Sequence, residues 1–99
     1  MKVLKIILTI TIFFSTALLA KYDKKVDPTE LYQKATAHLD KEEYRKANRV
    51  LGTYTKSKHK DPDGWTLYAF TQRKLKNYKK AESFYEKALK IDPDNKIAL

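Results

Sequence analysis

The chain has no cysteine, so no disulfide, zinc-thiolate centre or lipid-carrying cysteine can form. It has only two glycines and three prolines. That is few for a turn-rich β fold, and it favours long helices. Histidine is scarce, at two residues. Neither His38 nor His59 has a serine or carboxylate beside it in a recognisable catalytic arrangement, and no pair of histidines stands at the i, i+4 spacing of a metal site. His38 falls on a helix face that packs inward, and His59 sits in the basic loop "KSKHK". The expectation is a non-enzymatic protein with no catalytic, metal or cofactor residue.

The 99 residues allow one domain at most. With 42% hydrophobic and 33% charged residues the composition is that of a folded chain. The formal net charge is +9. A solvated, lysine-rich surface accounts for it most simply. The alternative is a basic peripheral surface for anionic membrane or polyanion, carried by "KSKHK" (56–60) and "RKLKNYKK" (73–80).

Residues 1–20, "MKVLKIILTITIFFSTALLA", do not read as a piece of the fold. Lys2 and Lys5 precede an uncharged apolar run over 6–20, and Ser15, Ala17 and Ala20 supply small residues at its end. This is the layout of a secretory signal, and the run is shorter than the roughly 20 residues of a bilayer span. Export, to the periplasm or beyond, is the expectation. The competing reading is an uncleaved anchor in the inner membrane through 6–20, since Lys21, Lys24 and Lys25 resist transfer. Residues 21–27 form a linker.

The rest of the chain repeats. Asp27-Pro28 and Asp61-Pro62 each open a helical pattern, and the two prolines are 34 residues apart. At that offset Leu31 aligns with Trp65, Ala35 with Ala69, Tyr44 with Tyr78, Ala47 with Ala81, and Leu51 with Tyr85. Only six of the 34 aligned positions are identical, but the matching positions are mostly apolar or small, as a shared packing scheme requires. Each unit reads as two antiparallel helices joined by a short turn. In the first, Asp27 caps, Pro28 leads and Glu30 completes a capping box. Its helices run from 28 to about 39 and from 44 to about 56. In the second they run from 62 to about 75 and from 78 to about 91, where Pro93 prevents continuation. The fold class is all-α: two helical hairpins forming a short α-solenoid after the N-terminal signal helix.

Residues 62–95 resemble the tetratricopeptide repeat (TPR). Trp65, Ala69, Tyr78, Ala81, Tyr85, Ala88 and Pro93 stand at that family's signature spacings, and "YEKALKIDPDN" is close to its usual ending. Tyr68 replaces a usual leucine, Gln72 a usual aromatic, and Lys76-Asn77 a usual Gly-Asp turn. Residues 28–61 match less well and read as a degenerate first repeat, with Leu31, Ala35, Tyr44, Ala47 and Leu51 in place. Residues 96–99 would open a third, incomplete unit with Leu99 aligned to Trp65. The whole layout is similar to small exported bacterial proteins in which a signal precedes a few such repeats.

The resemblance implies a core in which the alanines let paired helices approach while Trp65, Tyr68, Tyr78, Phe84 and Tyr85 fill the wider gaps. It also implies a concave groove on the first helix of each unit, comprising Tyr32, Thr36, Leu39, Thr66, Phe70, Arg73 and Lys74. Tyr32 and Phe70 would anchor a protein or peptide partner, and Arg73 and Lys74 would meet its carboxylates. The residues that clamp a C-terminal carboxylate in chaperone-binding members are not matched, because Tyr32 and Thr36 stand where lysine and asparagine belong. An uncovered face on the last helix would suit a partner or self-association. No specific nucleic-acid site is expected.

Overall fold

The structure, a computed structural model, describes residues 26–95. The expectations for 1–20, for most of the linker and for 96–99 lie outside the described residues. Among the described residues there are four helices and no strand: α1 (Pro28–Asp40), α2 (Tyr44–Ser57), α3 (Pro62–Lys74) and α4 (Tyr78–Ile91). Their ends lie within about a residue of those read from the periodicity. Each helix packs on the next in order, α1 on α2, α2 on α3 and α3 on α4. None of them is long and apolar enough to cross a membrane.

Both hairpins begin and turn in the same way. Asp27 Oδ1 accepts from the Thr29 amide at 3.0 Å, and Asp61 Oδ1 accepts from the Asp63 amide at 3.0 Å. In each case a proline follows at the first helical position, where its missing N–H costs nothing. At the far ends, the Glu43 amide donates to His38 O and the Asn77 amide to Gln72 O, both at 2.8 Å. These six-to-one bonds are those of a Schellman stop, which needs a left-handed residue just before the donor. Glu42 (φ 59°) and Lys76 (φ 67°) take that conformation, although neither is glycine. The two residues are 34 apart.

The alanines do the work expected of them. Ala35, Ala47, Ala69 and Ala88 are fully buried and Ala81 nearly so, which lets the helices of each hairpin close on one another. Ala35, Ala47 and Leu51 form the first core, with Leu39, Val50, Leu67 and Tyr68 packed against it. In the second hairpin Trp65, Tyr68 and Phe84 make one cluster, with Tyr68 and Phe84 stacked at 4.3 Å between centroids and Trp65 5.5 Å from Phe84. Full burial of rings of this size stabilises by on the order of 2–3 kcal/mol each, and these three, half-buried, contribute a part of that. Lys87 Nζ lies 4.6 Å over the Trp65 ring and covers its outer side.

Both glycines serve this packing. Tyr54 stands 34 residues before Ala88, at a position where the second hairpin holds only a methyl group. Its ring is accommodated because Gly64 leaves room: a Cβ on Gly64 would stand 2.6 Å from Tyr54 Cε2. Gly52 in turn faces the Tyr68 hydroxyl, which a Cβ there would meet at 3.1 Å. Tyr68 is therefore long where leucine is usual because it reaches across to α2.

Two of the core expectations are corrected. Tyr78 is 62% exposed. Its counterpart Tyr44 is half-buried because Phe70, from the helix that follows its hairpin, packs edge-on against it at 6.3 Å. No following helix exists among the described residues to do this for Tyr78. Pro93 is also exposed. It acts on the backbone, ending α4 just before it, and contributes no packing. Trp65, Tyr44 and Tyr85 are half-buried, while Leu31 and Leu51 are buried.

Candidate partner-binding face

The seven residues expected to line the groove divide into those at the surface and those already used. Thr66 is fully buried, contrary to expectation. Its hydroxyl donates to Pro62 O at 2.9 Å and accepts from Asn95 Nδ2 at 2.5 Å, so the segment after α4 folds back over it. Leu39 is half-buried, with part of its side chain against the Ala35, Ala47 and Leu51 core. Thr36 is half-buried and returns its hydroxyl to Gln33 O at 2.9 Å. Phe70 is half-buried, sharing its ring between Tyr44 and the surface, and Lys74 Nζ lies 5.5 Å from its centroid. Arg73 and Lys74 are exposed.

Tyr32 forms one wall of a cleft of about 390 Å³ that Tyr54, Asp61, Asp63 and Lys58 also line. The Tyr32 and Tyr54 rings are 5.3 Å apart, and the Tyr54 hydroxyl donates to Asp61 Oδ2 at 2.5 Å. Asp61 thus caps α3 with one oxygen and holds Tyr54 with the other. Burial first, then this bond to a carboxylate, raises the Tyr54 pKa well above the usual tyrosine range. Burial and the nearby Asp63 and Asp61 charges raise that of Tyr32.

Asp63 is exposed beside Tyr32 and was not singled out from the sequence. Its signal was helical spacing. Asp63, Phe70 and Lys74 are seven and eleven positions along one helix, which places them within about 20° of one line on α3. The ion pairs among the described residues are His38–Glu43 and Lys46–Glu43, both at 3.1 Å, so Asp63, Arg73 and Lys74 have no ion-pair partner there. The hydrogen bonds of His38, then of Lys46, hold the Glu43 carboxyl below its ordinary pKa.

The tetratricopeptide repeat model matches residues 62–95. Residues 62–95 are a tetratricopeptide repeat. No curated protein and no solved structure matches the chain. TPR units mediate protein–protein interaction and are typically non-catalytic. The hairpin of α1 and α2 repeats the caps, the left-handed turn residue and the small-residue contacts of this TPR unit. The departures from the TPR pattern also find their reasons. Gln72, where an aromatic is usual, is 3% exposed. Its amide nitrogen donates to Asn48 Oδ1 on α2, and its oxygen accepts from Asn77 Nδ2 at 2.9 Å. A polar side chain is tolerated there because its hydrogen bonds are made. His38, at the equivalent place in α1, is only half-buried, with Nδ1 3.1 Å from Glu43 Oε1.

The two basic segments do not join. Residues 56–60 lie at the end of α2 and the start of α3, whereas 73–80 lie at the opposite end of α3. The 13 residues of α3 separate them by about 20 Å. Among the described residues no three of His, Cys, Asp and Glu come together as metal ligands do.

Proposed function

We propose that this chain is a non-enzymatic interaction module that holds a protein or peptide partner against the exposed stripe of α1 and α3. The observation that carries this reading is the stripe itself. Asp63, Phe70 and Lys74 share one line of α3, with no ion pair to the two charges among the described residues and a ring half open, next to the Tyr32 cleft. Half-exposed aromatics flanked by free charges are what an interface uses as anchors and rim. A matched pair of variants tests it. Asp63→Lys/Lys74→Glu reverses both ends of the stripe. Arg49→Glu/Glu86→Lys makes the same charge exchange on the exposed sides of α2 and α4. Proteins retained from cell extract by the native chain should be kept by the second variant and lost by the first. Loss from the second alone would refute the reading.

We further infer that residues 1–20 direct export, so that the module works in the cell envelope. The charged start, the apolar run and its small-residue end support this. The intact mass of the protein recovered from the envelope fraction tests it. Recovery of the full-length chain from the cytoplasmic fraction would contradict it.

A further inference from the structure

The stripe on α3 is electrically graded, and that grading specifies what it binds. At the start of α3 the cleft walled by Tyr32 is lined by two carboxylates, Asp61 and Asp63, against one base, Lys58, and Asp63 is the exposed one of the two acids. At its end the open charges are Lys74 and Arg73. Between them stands Phe70, half-exposed, with its other edge on Tyr44. The N-terminal end of the stripe suits a cation, which meets a carboxylate and the face of a tyrosine ring. The C-terminal end suits a carboxylate. The middle suits an apolar side chain.

The spacing follows from helix geometry. Seven residues separate Asp63 from Phe70, about 10 Å along the axis, and four separate Phe70 from Lys74, about 6 Å. An extended segment advances roughly 3.3 Å per residue. A ligand lying along the stripe therefore places its apolar residue three positions from its cation and two from its acid. We infer that the groove recognises an extended segment of mixed charge, of pattern basic-x-x-apolar-x-acidic, and does not recognise a uniformly acidic or basic one. This rests on the groove reading above and adds the chemistry of the partner. Like charges would face each other at one end for either uniform segment, and each such end loses an ion pair and gains a repulsion.

Three capped, fluorescently labelled hexapeptides test this against the full chain by anisotropy: Arg-Ser-Ser-Leu-Ser-Glu, Glu-Ser-Ser-Leu-Ser-Glu and Arg-Ser-Ser-Leu-Ser-Arg. The mixed peptide should bind tightest, by about fivefold over each of the others, the worth of one exposed ion pair. The preference should shrink as salt is added. Asp63→Lys should move the preference to the acidic peptide and Lys74→Glu to the basic one. Both substitutions are on exposed side chains, so the fold is kept. Equal binding of the three peptides, binding of none, or an order unmoved by either substitution would overturn the inference. If the stripe variant loses captured proteins while the peptides show no preference, the groove reading stands and this one fails.

Discussion

At the scale of single residues, the packing turns on one exchange of size. Tyr54 is large where the second hairpin has Ala88, and Gly64 is small where Tyr54 needs space. Gly64→Ala puts a Cβ 2.6 Å from a ring that is 7% exposed and tied by its hydroxyl to Asp61. Overpacking of this kind costs about 1–3 kcal/mol. Gly52→Ala instead meets the far end of Tyr68, which can give, and gains helix propensity of up to about 1 kcal/mol. Urea unfolding of the two variants should show a clear loss for the first and none for the second; no loss for Gly64→Ala would show that Tyr54 is not locked in place. None of this could be read from the sequence. Tyr54 and Gly64 lie ten residues apart on different helices, and each alone looks like a departure from the repeat. Asp63 escaped notice for a related reason: as a first-turn acid it reads as helix chemistry, until Phe70 and Lys74 are seen on its line.

At the scale of elements, the sequence was more legible. The two Asp-Pro starts, the 34-residue offset and Pro93 located every described helix to within about a residue. These signals are local, since capping and proline act on the backbone beside them. The turns were placed but not their conformation, because glycine usually marks a left-handed stop and here Glu42 and Lys76 fill that position. A left-handed non-glycine residue costs roughly 1 kcal/mol or more. Lys76→Gly should therefore stabilise the second hairpin by about 1 kcal/mol, read as a rise in the urea midpoint with an unchanged slope. A fall would mean that the lysine side chain repays the strain by a contact of its own.

At the scale of the whole molecule, two hairpins share one line of stacking, and the ends of that line differ. α2 is covered by α3, through Phe70 on Tyr44 and Gln72 on Asn48. On α4 the corresponding Tyr78 is open, and Ile91 is 39% exposed. The candidate binding face was legible only in outline. The repeat spacing pointed to α1 and α3, but Thr66 is fully buried and Leu39 is half-buried against the first core. Thr66 is covered by a hydrogen bond from a residue 29 positions later, which helical spacing does not reveal. What remains at the surface is a graded stripe on α3 beside the Tyr32 cleft, and the proposed binding face rests on it. The most direct test is amide hydrogen exchange of the full chain with and without a protein it retains. Added protection should fall on α1 near Tyr32 and on α3 from Asp63 to Lys74. Protection confined to α2 or to the open side of α4 would contradict it.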